Sequence, residues 1–249
     1  MLSYFLATII IVAILWKGIS MTKKQASLQN KTVESDTSEI KLQIEDFKGE
    51  PEYFGYKSWW LAIKANNNTE IASFIKSLEE NAPHKLIFKY PNWSVSLTSP
   101  MNGWVFIIGE IPVGDSKESL ADLKVILTHL SSQFGEVQFF ATHRIVEYHC
   151  WAKALNGSIL RIYSYLGESG ENKCIEGEPS DFEKQYHLLN TFSEEAVEEG
   201  YYDREDLVFP DEEFVMKIAE NWSLSPAKFT HEDWKSLWTE ALVIKQKKM

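Results

Sequence analysis

Residues 136–167 read EVQFFATHRIVEYHCWAKALNGSILRIYSYLG. This stretch contains three strand-like runs: 137–142, 144–155 and 158–167. Asn156 and Gly157 separate the last two runs, and both residues tolerate the positive φ angles of a two-residue hairpin turn. Because large apolar side chains occur on both faces of this hairpin, we expect it to lie in the centre of a sheet.

The turn also predicts a register for the hairpin, with Leu155 opposite Ser158. If the alternation of side chains continues without interruption, each face collects a different set of polar groups. One face then carries Tyr148, Arg161, Tyr163 and Tyr165. The opposite face carries Glu147 and His149.

Outward from the hairpin, the pattern predicts a strand at 57–65 and a second hairpin at 93–98 and 104–111. Helices are predicted at about 67–78, 115–134, 181–189, 211–222 and 230–244. The helix before Gly135 opens with a capping box, Asp115 and Glu118. Strands interleaved with helices predict an α+β fold, in which residues 40–249 form a single domain on a mostly antiparallel sheet with flanking helices and a helical C-terminal part.

The N-terminal residues 1–19 are apolar apart from Ser3, Thr8 and Lys17. A helix of this length just spans the hydrocarbon core, so we expect a transmembrane anchor rather than a cleaved signal peptide or a buried helix. Residues 20–39 are polar and predict a linker. Lysines follow the apolar run and none precedes it, which predicts a single-pass protein of the cell membrane with its N-terminus outside and its domain in the cytoplasm. An exported domain is the alternative.

The whole chain has 249 residues and a formal net charge of −11, which argues against nucleic acid as a partner. Its hydrophobic share of 44% excludes a disordered chain. The charge is concentrated in residues 176–213, called here the acidic segment. This segment holds fourteen acidic residues against Lys184 and Arg204, a net charge of −12, which leaves +1 for the rest of the chain.

The acidic segment predicts a docking surface for a basic protein partner, whose association it would accelerate electrostatically. Candidate partner-binding residues are Glu194, Glu195, Glu198 and Glu199. The competing interpretation is a solvated helix face and loop, which is the usual role of a run of charges. The leading hypothesis is a membrane-anchored, non-enzymatic interaction domain, of which immunity proteins and inhibitors are examples.

The alternative is an enzyme or a sensor of small ligands that uses the central hairpin. Arginine beside tyrosine binds carboxylates and phosphates, since the guanidinium group makes two parallel hydrogen bonds. Candidate ligand-binding residues are Arg144, Tyr148, Arg161 and Tyr163. The structural interpretation of Arg161 is a buried ion pair with Glu168 or Glu171, or a side chain that reaches solvent at the sheet edge.

Candidate metal ligands on the hairpin are His143, Glu147 and His149. Two imidazoles and a carboxylate are typical of catalytic zinc and non-haem iron sites. Residues 143 and 149 of a straight strand lie about 20 Å apart, so this site requires a bend or a ligand from another strand. The competing interpretation places polar groups on a partly exposed sheet face. Motifs of nucleophilic enzymes and of nucleotide-binding loops are absent from the sequence, and we expect no cofactor.

Three blocks of sequence carry a resemblance: SPMNGWVFIIGEIP, FGEVQFFATHRIVEYHCWAKALNGSILRIYSYLGESGE and IAENWSLSP. Together they resemble an uncharacterised family of bacterial proteins over most of the chain after residue 55. The resemblance implies a single bacterial domain. It implies no particular activity, cofactor or catalytic residue, and it does not include the anchor or the linker.

Overall fold

The structure is a computed structural model that describes residues 41–81, 86–89, 92–109, 111 and 114–246. The predicted anchor (1–19) and the whole of the polar linker (20–39) lie outside these residues, as does residue 40, so anchor and linker remain predictions. Within the described ranges, no helix combines the length and the apolar character that a membrane span requires.

Eleven strands are present in the described part of the chain: β1 Leu42–Asp46, β2 Trp59–Lys64, β3 Ser94–Leu97, β4 Trp104–Gly109, β5 Glu136–His143, β6 Tyr148–Leu155, β7 Ser158–Leu166, β8 Glu171–Glu176, β9 His187–Leu188, β10 Leu207–Val208 and β11 Leu242–Gln246. Nine of them form one sheet in the order β1-β11-β3-β4-β2-β5-β6-β7-β8, in which every neighbouring pair is antiparallel. The other two, β9 and β10, form a short parallel pair within the acidic segment.

Four α-helices of the described ranges accompany the sheet: α1 Asn68–Asn81, α2 Lys117–Phe134, α3 Glu212–Trp222 and α4 His231–Leu237. The order β2-α1-β3-β4-α2-β5, with β4 between β3 and β2 and with β2 next to β5, is the split-βαβ or ferredoxin-like arrangement. Strands β6 to β8 extend one side of this unit, and β11 and β1 extend the other. The predicted α+β class and single antiparallel domain are confirmed.

Both faces of the sheet are covered, which explains why its central strands are apolar on both sides. Helix α2 packs on β2, β5, β6 and β7, and α1 packs on β1 and β11. The opposite face packs against α3, α4 and the acidic segment. One buried cluster joins side chains of this face to those helices and to the segment: Trp60, Phe106, Phe140, Trp151, Tyr163, Leu189, Tyr201, Phe214, Ile218 and Leu237.

The hairpin of β6 and β7 has a neighbouring strand on each side, but it lies one strand from the edge of the sheet and not in its centre as predicted. It begins as the sequence predicts and then departs from that register. Leu155 lies opposite Ser158, and the φ angles of Asn156 and Gly157 are 48° and 81°. Lys153, however, lies opposite Arg161 and Ala154 opposite Ile159, so that Leu160 is an extra residue in a β-bulge. One inserted residue moves all later side chains of β7 to the other face.

The predicted face assignment of β7 is therefore wrong beyond the bulge. Tyr163 lies opposite Trp151, and the two rings stack with centroids 4.3 Å apart and planes inclined by 9°. Tyr165 lies opposite His149. The bulge thus brings Arg161, Tyr163 and Tyr165 onto the face of the sheet that carries His149. This face packs against the acidic segment.

Three helix predictions also need correction. Residues 181–189 contain a single 3-10 turn, Glu183–Gln185, followed by β9. The helix predicted at 230–244 ends at Leu237 and gives way to β11, so the C-terminal part is not helical throughout. The N-cap of α2 is Ser116, whose hydroxyl accepts from the backbone N–H of Ser119, rather than Asp115.

Candidate functional site

Arg161 is held in a buried ion pair with Glu183 of the acidic segment, and both residues border a pocket of about 410 Å³. The Arg161 Nη2 and Glu183 Oε1 atoms are 2.8 Å apart, and the two side chains are 8% and 0% exposed. Arg161 Nη1 also donates to the carbonyl of Gly177 at 2.8 Å. The predicted buried ion pair is present, but its partner is Glu183 and not Glu168 or Glu171.

Glu183 has its other contacts satisfied by the protein as well. Its Oε1 accepts from the indole N–H of Trp151 at 2.9 Å, and its Oε2 accepts from the backbone N–H of Ser180 at 2.8 Å. A carboxylate this fully bonded has little capacity for a ligand. The pair therefore fastens the acidic segment to the sheet.

The two candidate tyrosines are likewise used within the fold. The Tyr163 hydroxyl donates to the carbonyl of Leu189 at 2.6 Å, and burial raises the pKa of this phenol. The Tyr148 hydroxyl lies on the other face of the sheet, where it donates to the carbonyl of Gly114 at 3.0 Å. The structure therefore does not bring Tyr148 together with Arg161 and Tyr163.

Arg144 lies elsewhere, beside a pocket of about 520 Å³ at the β5–β6 end of the sheet. The pocket is bordered by the turn that carries Arg144 and Glu147 and by His149 and Tyr165 on the sheet. Residues 209–213, which lead into the first turn of α3, form the remaining side. This volume is within the usual range for small-ligand sites.

The Arg144 side chain pairs with Glu212, whose Oε2 it contacts through Nε at 2.8 Å and through Nη2. Thr142 Oγ1 and the backbone N–H of Lys57 donate to the other carboxylate oxygen. Burial by itself would raise the pKa of Glu212, but the hydrogen bonds from Arg144 and Thr142 and the charge of Arg144 outweigh it and leave the pKa lowered. Glu212 is therefore ionised at neutral pH.

His149 forms part of the pocket wall and is only 3% exposed. Among the described residues, its Nδ1 has no hydrogen-bond partner. Burial lowers the pKa of His149, while the charges of Asp211, Glu212 and Glu147 act in the opposite direction and offset part of this effect. The wall therefore contains a neutral imidazole with unused hydrogen-bonding capacity, surrounded by carboxylates.

The candidate metal ligands are dispersed along the strand and turn. His143 ends β5, Glu147 lies in the following turn with a φ of 51°, and His149 is the second residue of β6. Glu147 and His149 both border the pocket, whereas His143 does not. Within the described ranges, no three His, Cys, Asp or Glu side chains are grouped closely enough to hold a metal ion.

Comparison with protein-family models, with curated proteins and with solved structures gave no match for this chain. Function must therefore be inferred from the contacts of the chain itself.

The four candidate partner-binding glutamates lie on the outer side of the acidic segment. Glu194, Glu195, Glu198 and Glu199 are all exposed, in and directly after a 3-10 turn, Glu194–Val197. Glu195 accepts from Arg204 at 3.1 Å, while Glu194, Glu198 and Glu199 have no side-chain bond to another described residue. Two large apolar side chains are exposed beside them, Phe192 at 61% and Val197 at 89%. We call these six residues the acidic surface.

The two cysteines are both free, and Cys150 is buried. Each lies opposite Ser164, Cys150 on β6 and Cys174 on β8, so two strand spacings of about 4.8 Å separate them. That separation exceeds the reach of a disulfide. Burial raises the pKa of the Cys150 thiol to about 12, so this cysteine is an inert core residue.

Sequence reasoning did not find Glu183, Phe209, Asp211 or Glu212 as partners of the hairpin and its flanking turn. The signal available was the mixture of acidic and aromatic residues in residues 176–213, which indicated that the segment is attached to the domain. Tyr201 of that segment is indeed buried, as is Phe214 directly after it, whereas Phe209 is exposed. Spacing alone does not reveal which acid meets which arginine.

Proposed function

We propose that this chain is a membrane-anchored, non-enzymatic interaction domain that binds a basic protein through the acidic surface. The observation that carries the proposal is the two-sided character of the acidic segment. Its inner side is fixed to the sheet by Glu183, Leu189 and Tyr201, while its outer side exposes glutamates together with Phe192 and Val197.

Such a surface suits protein docking better than simple solvation. A solvated charge run has no need of exposed phenylalanine and valine side chains, whereas an interface uses apolar contacts for affinity and charges for steering. Because the segment is fastened to a rigid sheet, its glutamates are held in place before a partner arrives. An immunity protein or an inhibitor of a basic enzyme has this type of surface, with the anchor at residues 1–19 placing it at the membrane.

The test is capture of a partner by the full-length protein from the cells that produce it, with a charge-reversed variant as comparison. The variant carries Glu194→Lys, Glu198→Lys and Glu199→Lys, which leaves the Glu195–Arg204 contact intact. A matched control carries Glu50→Lys, Glu52→Lys and Glu168→Lys, three exposed acids outside the acidic segment.

We expect a basic protein to be retained by the parent and by the control but lost by the surface variant. Raising the salt from about 0.05 to 0.5 M should weaken its capture, because the Debye length falls to a few ångströms. Equal retention by all three proteins, or capture that is independent of salt, would contradict the proposal.

A further inference from the structure

The pocket beside Arg144 has a strongly acidic lining. Its charged side chains are one cation, Arg144, and four carboxylates, Glu147, Asp211, Glu212 and Glu213, which gives a net charge of −3. The Arg144 guanidinium is already engaged by Glu212, and Asp211 caps α3 by accepting from the backbone N–H of Phe214 at 2.8 Å. An anionic ligand would therefore meet more carboxylates than available cations.

The walls of the pocket are aromatic and neutral. The rings of Tyr165 and Phe209 meet edge to face with centroids 6.5 Å apart, and both border the cavity. His149 adds a buried imidazole whose Nδ1 has no partner in the described part of the chain. Aromatic faces beside carboxylates favour organic cations, because the ring quadrupole and the acidic charge attract the same group.

The carboxylates of the pocket keep oxygen atoms for a ligand. Glu147 is exposed at the rim, and no side-chain hydrogen bond or ion pair joins it to another described residue. Asp211 uses Oδ1 for its cap, and Glu213 accepts from the hydroxyl of Tyr56 through Oε1. Each of these two therefore retains its second oxygen. The pocket is less suitable for a metal ion, because no three His, Cys, Asp or Glu side chains of the described ranges are grouped closely enough to hold one.

We infer that this pocket binds an alkylammonium or guanidinium group, held by Glu147 and Asp211 at the rim and by Tyr165 and Phe209 along the wall. The imidazole of His149 adds a neutral ring to the same wall. Such a group belongs either to a free amine or to the lysine or arginine side chain of a protein. This inference concerns a separate site and does not depend on the acidic surface.

The test is calorimetric titration of the detergent-solubilised full-length protein with three probes. N-acetyl-arginine amide carries the cation of a protein side chain, putrescine represents a free amine, and N-acetyl-citrulline amide is the neutral isostere of the first probe. We expect at least one cationic probe to bind about tenfold or more tightly than the citrulline probe. A tighter arginine probe indicates a protein side chain as the natural ligand, and tighter putrescine indicates a free amine.

Variants assign the binding to the pocket. Glu147→Gln should weaken the cationic probe about two- to fivefold, because it removes one exposed charge and little volume. Glu168→Gln, an exposed acid that does not line the cavity, should leave it unchanged. The triple lysine variant of the acidic surface should also bind as the parent does. The inference would be overturned if neither cationic probe binds more tightly than the citrulline probe, if no probe binds at about 10 mM, or if both glutamine variants weaken binding equally.

Discussion

Two arginine–glutamate pairs connect the β5–β7 part of the sheet to the acidic segment, and they have different surroundings. Arg161 and Glu183 are buried, and the carboxylate accepts further hydrogen bonds from Trp151 and Ser180. Arg144 and Glu212 lie at the rim of an open pocket, where the arginine side chain is 61% exposed and the neighbouring His149 keeps an unpartnered nitrogen. The Arg161–Glu183 pair therefore holds the acidic segment on the sheet, whereas the Arg144–Glu212 pair borders an open pocket.

The difference lies in what remains unsatisfied. In the buried pair each guanidinium nitrogen of Arg161 and each carboxylate oxygen of Glu183 has a partner within the protein, so a ligand gains little by binding there. Beside Arg144 and Glu212, carboxylate oxygens that have no hydrogen-bond partner adjoin a cavity that a ligand can enter. Burial of an ion pair is thus evidence for a structural role, while incomplete bonding beside a cavity is evidence for binding.

The largest effect is expected at the buried pair. Arg161→Ala should lower the free energy of unfolding by about 3–5 kcal/mol, because it leaves the Glu183 carboxylate buried without its cation. Urea denaturation followed by tryptophan fluorescence measures this loss. The double variant Arg161→Met with Glu183→Gln removes both charges and should recover much of it. A double variant as unstable as the single one would show that the unpaired charge is not the cause.

A smaller effect is expected at the Arg144–Glu212 pair. Arg144→Ala should cost about 1 kcal/mol or less, because the arginine is mostly in solvent and Thr142 and Lys57 continue to donate to Glu212. The same denaturation experiment measures it. Equal losses for Arg144→Ala and Arg161→Ala would remove the distinction between the two pairs.

The smallest effect concerns His149 and pH. The pKa of His149 is lowered in the fold, so the unfolded chain takes up a proton more readily than the folded chain. The contribution of His149 to the free energy of unfolding is therefore fully present above the ordinary histidine pKa of about 6.5, and it is lost as the pH falls through the lower folded value. We expect His149→Gln to reduce the loss of unfolding free energy between pH values of about 7.5 and 6. An unchanged difference between the two pH values would show that His149 is as accessible to protons in the fold as in the unfolded chain.

Much of the fold follows from local sequence. The Asn156–Gly157 turn, the helix that ends before Gly135 and the strand containing Trp59 and Trp60 were all predicted from short patterns, and the structure contains them. The α+β class follows from their alternation. These elements are decided by turn geometry and apolar spacing, which act over a few residues.

The remainder depends on contacts that are distant in sequence. The bulge at Leu160 is accommodated by Gly177, directly after the neighbouring strand β8, where a Cβ would lie 1.9 Å from the Leu160 carbonyl oxygen. No local pattern predicts this contact. Strand β11 is a strand because β1 and β3 flank it, which overrides the helical pattern that continues from α4.

The candidate site shows the same limit. Arg144 and His149 were selected from their residue types, but their roles depend on Asp211 and Glu212, which are more than sixty residues away in the chain. Arg161 was expected to be paired, and its partner was named incorrectly because the bulge changes the face on which it lies. Residue type predicted the chemistry of these groups, while tertiary pairing determined their use.

The position of β11 has a consequence for synthesis of the protein. This strand is the last in the described chain, yet it is inserted between β1 and β3 rather than added at an edge. A nascent chain on the ribosome therefore lacks an internal strand of its sheet until residues 242–246 emerge. Until then β1 has no neighbouring strand and one edge of β3 is unpaired. This side of the sheet therefore forms its hydrogen bonds only after β11 has been translated.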